Sequence, residues 1–288
     1  MKNTLFAGLA AGALLLTSCG DKKADTGVEK DNLKPNEAVQ NWTKDLSEGR
    51  VASLWDSLPS SYQSDVAGIL HSVGDKMDAE VYKEAMTTVT AATELLKDKK
   101  SMIVAMVKEQ APKSEKENMD KLEASYDSIV GLLNAVATSD AKDVDGLKNL
   151  DVAKFLGDLQ EHTKELSSLS SLAGEDMENL KAMTAKLVSE SGDAAEVEIT
   201  MDGRAEKVKF VKKDDRWIPE DMSKEWSEMI KEAKAGIGEM ADLKPVQKEQ
   251  VLAVLRMAQA SIKELKKAET KEDMMNKVGE VMQQLGGM

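Results

Sequence analysis

The sequence predicts an α+β fold, predominantly α-helical: a helical body, a three- or four-stranded antiparallel β-meander at about residues 183–218, and C-terminal helices packing on it. Three observations predict it. Aromatic residues make up only 3% of 288 residues, so the core must come from the abundant Leu, Met, Ala and Val, a composition that suits packed helices. Apolar residues recur at three-and-four spacing through most of the chain after Pro35, the signature of one helical face. Around Asp202-Gly203 the period drops to two on both sides of a turn dipeptide, the strongest short-range hairpin signal.

Taken in order, residues 35–288 are read as a single folded body, with helices over 35–180, the meander, and helices over 220–285. Val39, Trp42 and Leu46 give a first helix, ended by Gly49, and Val51, Leu54, Trp55 and Leu58 a brief second one. Pro59, then Ser60 with Gln63 three positions on, gives the pattern of a capping box. It opens a helix whose face carries Tyr62, Val66, Ile69, Leu70, Val73 and Met77. Further helices are predicted over about 79–96, 100–110, 114–136 and 152–172, with Pro112, Gly146 and Gly174 in the connections. In the meander, Val197, Ile199 and Met201 alternate with polar residues before the Asp-Gly turn, and Val208 and Phe210 after it. AKLVSES and RWIP supply the flanking strands. A sheet this small needs cover on one face. Trp226, Met229, Ile230, Ala233, Ile237 and Met240 then form one helical stripe, and Val251, Val254, Leu255, Ala258, Ile262 and Leu265 another, before a last helix over about 271–285.

Before the body, Lys2 precedes an apolar run, Leu5–Leu16. At about 1.5 Å per residue the run spans roughly 18 Å, far short of the roughly 30 Å hydrocarbon core. It reads as an export signal over residues 1–18, not a span. It ends in LTSC, residues 16–19, and Cys19 is the only cysteine in the chain. A disulfide framework would need an even number of thiols. This stretch resembles the lipobox of bacterial lipoproteins: an aliphatic residue, two small residues and a cysteine. The resemblance implies cleavage between Ser18 and Cys19, a diacylglycerol thioether on the Cys19 thiol, and acylation of the new amino group by palmitate-type chains. Two or three chains, at about 0.8 kcal/mol per buried methylene, anchor a protein where one holds it only reversibly.

Residues 19–34, the lipidated cysteine and the polar stretch Gly20–Lys34, read as a tether. Fully extended, its fifteen residues after Cys19 reach at most about 50 Å. The whole chain carries a net charge of −13, and loss of Lys2 with the signal leaves it more negative. Such a body is repelled by nucleic-acid phosphates and anionic headgroups, so no nucleic-acid partner is expected and the membrane contact is the lipid. In enteric bacteria an aspartate directly after the lipidated cysteine retains a lipoprotein at the inner membrane. Gly20 holds that place here and Asp21 follows, which favours the outer membrane, with the body in the periplasm or at the cell surface.

A second resemblance lies in the meander. Short helices leading to strands that end in DDRWI, residues 214–218, are similar to envelope lipoproteins with a nuclear-transport-factor-2-like (cystatin-like) α+β cone. The match covers about 35 residues plus the opening helices. The long helical stretch over about 79–180 departs from it. The resemblance implies no activity, since that scaffold hosts enzymes and binders alike.

A search for chemistry predicts no catalytic, cofactor-binding or metal-binding residue. His71 and His162 sit on separate predicted helices, without a G-x-S-x-G elbow. Setting Gly146 at the sixth position of a calcium loop puts Asp143 and Asp145 at positions three and five, but Ala141 at one and Val152 at twelve. Both end positions need oxygen ligands, and a carboxylate is essential at the last. Zinc and iron–sulfur ligands are lacking once Cys19 is lipidated. Seventeen methionines suggest Cu(I) chemistry. However, Met102 and Met106, Met229 and Met240, and Met275 and Met282 share the spacing of the aliphatics around them, which points to core packing. Trp55, Trp217 and Trp226 are read as core rather than as a glycan platform.

The function expected is therefore a non-catalytic, lipid-anchored envelope protein that binds a protein or apolar small-molecule partner. An alternative is an envelope hydrolase using carboxylates in a cone-like pocket, with Asp215 and Glu220 near Trp217. A structural reading makes the helical surfaces an oligomerisation face.

Overall fold

The computed structural model describes residues 33–110, 116–166, 179–241 and 243–286. Residues 1–18, the lipobox and nearly all of the tether lie outside them, as do Pro112, Gly174 and the end of the helix expected to reach 172. The helices are α1 (Pro35–Ser47), α2 (Val51–Asp56), α3 (Ser60–Lys76), α4 (Ala79–Asp98), α5 (Lys100–Gln110), α6 (Lys116–Thr138), α7 (Val144–Lys148) and α8 (Val152–Leu166). Strands β1 (Thr184–Ser191), β2 (Ala194–Met201), β3 (Arg204–Lys213) and β4 (Arg216–Pro219) follow, then α9 (Glu220–Ala241), α10 (Pro245–Lys266) and α11 (Lys271–Gly286). The fold is α+β and mainly helical, with one four-stranded antiparallel sheet in the order β1-β2-β3-β4.

The chain forms two compact units, residues 1–73 with 148–238 and residues 74–147 with 239–288, where the sequence reading treated 35–288 as one body. Each unit is discontinuous in sequence, and the changeovers fall inside α3, α7 and α9. No linker composition marks them.

In the first unit the meander is built by three two-residue turns. Gly192 has φ +58°, Asp202 and Gly203 have +49° and +68°, and Asp214 and Asp215 have +46° and +59°. Consecutive positive-φ residues match the right-handed twist of the strands they join. Helix α1 packs on β1, β2 and β4. Ala38 and Val39 meet Ala185, Ala195, Val197, Ile199, Phe210 and Trp217 there, forming one core layer. On the other face of the sheet, Glu196 and Glu198 stand opposite Lys209 and Lys207, so that surface is a ladder of alternating charge. A bulge between Leu187 and Ser189 interrupts the β1 edge, which blunts it against pairing with another chain.

Helices α2 and α8 pack together. The Ala52 N–H donates to Gln160 Oε1 at 3.2 Å and the Thr163 hydroxyl to the Gly49 carbonyl at 2.8 Å. Arg50 pairs with the buried Asp45 at 2.8 Å.

In the second unit α10 runs parallel to α4. Lys248 pairs with Asp78 and Glu80 at the start, Gln259 donates to the Glu84 carboxylate at 2.8 Å and the Thr88 hydroxyl at 3.2 Å in the middle, and Lys266 pairs with Glu94 near the end. Leu252 is fully buried, while Val251 and Val254 are exposed. Of the stripe read from the sequence, Leu255, Ala258, Ile262 and Leu265 are half-buried, with Ile262 and Leu265 packed against Leu95, Ala268 and Met274, and Val251 and Val254 at its start are the exposed members. Gln259, a polar residue outside that stripe, joins the contact by hydrogen-bonding the Glu84 carboxylate and the Thr88 hydroxyl of α4. Helix α6 flanks α4, with the Tyr126 hydroxyl donating to the Leu96 carbonyl at 2.9 Å.

Candidate functional site

Several specific side-chain contacts of the first unit gather where the β3–β4 turn meets the start of α3. Helix α3 begins at Ser60, so Ser60 is its first residue and not its cap. This corrects the capping box expected from Ser60 and Gln63. Gln63 instead donates to the Trp55 and Leu58 carbonyls at 2.9 and 3.2 Å, and Asp214 supplies the cap. Its Oδ2 accepts the Ser61 N–H at 2.8 Å and the Ser60 hydroxyl at 3.2 Å. The nearby Ser61 hydroxyl, which makes no hydrogen bond of ordinary geometry, and the Ser61 amide, which does, hold the Asp214 carboxyl below the usual carboxylate range, with Ser60 and Lys213 adding to the effect. A carboxylate stabilised in its charged form is a weak base.

Beside it, Tyr62 is wholly buried and its ring stacks on Trp226 of α9, with centroids 3.9 Å apart and planes 3° from parallel. The Lys213 ammonium stands 4.7 Å from the Tyr62 ring centre, a cation–π distance. The Trp226 indole N–H donates to Asp65 Oδ2 at 2.9 Å. The Tyr62 hydroxyl makes no hydrogen bond of ordinary geometry. Burial raises its pKa; the Ser223 hydroxyl opposes the shift, and Asp214 and Asp65 reinforce it. Lys213, Tyr62, Trp226 and Asp65 thus tie the sheet to α3 and α9.

Next to this node, Trp42, Asn41, Ser57, Asp215, Arg216 and Trp217 line a recess with Leu33 and Ala38. Its volume is about 10 Å³, room for roughly one water against the several hundred Å³ of an ordinary ligand pocket. A cleft of about 470 Å³ in the second unit is lined by Lys97, Lys100 and Lys108, with Asp98, Ser101, Val104, Ala105 and Glu123. Each of its lysines is engaged locally: Lys97 with Asn134, Lys100 with Asp127, and Lys108 with Asp120 and Glu123.

Of the residues singled out in the sequence, Ser18 and Cys19 lie outside the described residues. His71 donates from Nε2 to the Leu150 carbonyl at 3.1 Å, a structural tie between α3 and the start of α8, and His162 is half-buried on α8. Asp143 accepts the Gly146 N–H at 2.8 Å. Gly146 lies within α7 and not in a loop as expected, and a side chain there would meet the Asp140 carbonyl. Among the described residues no group of three or more His, Cys, Asp or Glu side chains could hold a metal ion. Asp215 faces solvent, 78% exposed, beside Lys212, and Glu220 pairs with Lys224 in the first turn of α9. The recess that Asp215 lines does not include Glu220. Trp55, Trp217 and Trp226 are all buried, as the core reading required. Met102 and Met106 pack against Leu95, Ala268 and Met274, but Met275 and Met282 are exposed, contrary to their reading as core. Among the described side chains of α11, Met274 is the deeply buried one.

Sequence reasoning missed the Tyr62–Trp226 stack and the Asp214 cap. Both join residues more than 150 positions apart, and only the Asp-Asp pair between alternating runs hinted at a turn able to carry such a contact. Comparison with protein-family models, with curated proteins and with solved structures finds no match to this chain.

Proposed function

We propose that the protein is a non-catalytic, lipid-anchored component of a bacterial cell envelope whose folded body binds a protein or apolar partner. The observation that carries this reading is LTSC at residues 16–19, directly after an apolar run too short to span a bilayer and containing the only cysteine of the chain. Among the described residues no helix is long and apolar enough to cross a membrane. On this reading attachment is through the lipid on Cys19. The acidic body and the polar stretch before Leu33 suit a domain held off an anionic surface by a tether. Gly20 after the cysteine favours the outer membrane.

Intact mass spectrometry of the membrane-extracted protein tests the reading. The expected mass begins at Cys19 and includes diacylglycerol, and Cys19→Ala abolishes both the lipid and membrane retention. A soluble wild-type product without lipid would overturn it.

A further inference from the structure

Helix α5 is apolar through its middle and fully covered nowhere. Met102–Val107 is a run of six apolar residues, and a helix that is apolar on every side is normally buried. Among the described side chains of α5 none is buried: Met102, Ile103, Val104 and Met106 are half-buried, and Ala105 and Val107 are exposed. On one face, Met102 and Met106 pack against Leu95, Ala268 and Met274, of which Ala268 and Met274 are 0% and 3% exposed. Another face, with Ser101, Val104, Ala105 and Lys108, lines the cleft of about 470 Å³. Charge fastens the helix. Lys100 pairs with Asp127 at 2.6 Å, and Lys108 pairs with Asp120 at 3.2 Å and with Glu123, all three carboxylates standing on α6. Glu109 pairs with Lys271 of α11. Every side chain in these pairs is at least 36% exposed, so each pair is weak alone and is screened by salt.

We infer that α5 is a lid, hinged at Lys99 and latched to α6 and α11 by ion pairs, that closes over the Leu95, Ala268 and Met274 cluster and is released when salt screens its latch. The hinge end is fixed. Lys99 is the one residue between α4 and α5, and its ammonium donates to the Ala268 carbonyl at 2.6 Å. At the far end the latch is Lys108 and Glu109, whose partners lie on two different helices. An element without a buried side chain stands at the low end of local stability, where opening motions are found. Its release takes Met102 and Met106 off the cluster and uncovers an apolar surface whose methionines adapt to irregular shapes. Use of that surface by an apolar partner rests on the function proposed above; the release of α5 does not.

Amide hydrogen exchange in the full chain reads the release directly. Raising sodium chloride from about 0.05 M to about 0.5 M shortens the screening length and is expected to speed exchange over residues 100–110 roughly fivefold, with α4 and the meander unchanged. Lys108→Gln removes the cation that both Asp120 and Glu123 meet. It is expected to bring the faster exchange to low salt, flatten the salt response and leave the melting temperature near that of wild type. Met274→Cys places a thiol beneath the lid, and its alkylation by iodoacetamide, an uncharged reagent, should rise with salt in step with α5. Exchange of α5 that ignores both salt and Lys108→Gln, acceleration of the whole chain together, or a thiol at position 274 whose labelling ignores salt would each overturn the lid. Alkylation of Cys19 in the wild-type chain would reject the anchored reading and leave the lid standing.

Discussion

Asp214 caps a helix that begins 154 positions before it: its carboxylate accepts the Ser61 N–H at 2.8 Å from the tip of the β3–β4 turn. The turn places it there by putting Asp214 and Asp215 at φ +46° and +59°, a region that costs an L-residue roughly 1–2 kcal/mol and that aspartate tolerates better than most. Removing the cap with Asp214→Ala is expected to destabilise the fold by about 1 kcal/mol, with Asp214→Asn retaining part of it through the amide oxygen. Asp215 offers no cap, so Asp215→Gly relieves strain and should raise the urea midpoint slightly. Equal midpoints for Asp214→Ala and wild type would show that the contact contributes nothing.

The same carboxylate predicts the acid limb of stability. Ser61 holds the Asp214 pKa below the usual range. Lys248, together with the Val81 and Glu80 amides that Asp78 caps at the start of α4, does the same for Asp78. A depressed carboxyl pKa stabilises the folded state above the unfolded value of about 3.9, and that contribution is lost as pH falls through the folded pKa. Melting temperatures should therefore hold near neutrality and fall below about pH 4. The Asp78→Asn/Asp214→Asn double variant should show a shallower fall over that window, and an unchanged slope would count against both sites.

Tyr62 separates packing from hydrogen bonding. Its ring is enclosed against Trp226 while its hydroxyl has no partner of ordinary geometry, so the hydroxyl loses its water without a full return. Tyr62→Phe is expected to be neutral or stabilising by up to about 1 kcal/mol, and Tyr62→Ala to cost about 3–5 kcal/mol through the cavity. In a spectroscopic titration Tyr62 should ionise above the ordinary tyrosine range, since burial raises its pKa. Destabilisation by Tyr62→Phe would mean that the hydroxyl is bonded after all.

Local signals in the sequence were read well where one element decides its own shape. Asp202-Gly203 forms the turn its spacing promised, with Met201 opposite Arg204, and Lys100–Gln110 is a helix at the bounds read from its pattern. The misreadings arise where a distant group intervenes. Ser60 carries the residue type of a cap, but the Asp214 carboxylate takes that role. Val251 and Val254 match the apolar period of α10, yet both are exposed, while the polar Gln259 meets Glu84 and Thr88. Met275 and Met282 keep core spacing on a helix whose neighbours cover only its other side. The recess beside Trp42 draws on residues from three separate segments, so no local pattern could announce it.

Gly49 provides the sharpest test of the packing between the end of α1 and α8. It has φ +64°, and a Cβ there would stand 2.3 Å from the Thr163 carbonyl oxygen and 2.8 Å from its carbon. Both are backbone atoms of a helix and cannot swing aside. Gly192 has a similar φ of +58° with nothing within 4 Å, and Gly68 lies in α3 with open space and no positive φ. Three alanine substitutions therefore separate three effects. Gly192→Ala should cost about 1–2 kcal/mol for backbone strain alone. Gly49→Ala should cost more, because α8 must also shift and lengthen the Thr163 hydroxyl bond to the Gly49 carbonyl. Gly68→Ala should gain roughly 0.5–1 kcal/mol from helix propensity. Urea midpoints ordered Gly68→Ala, wild type, Gly192→Ala, Gly49→Ala are expected, and a Gly49→Ala variant no weaker than Gly192→Ala would mean that α8 does not press on this turn.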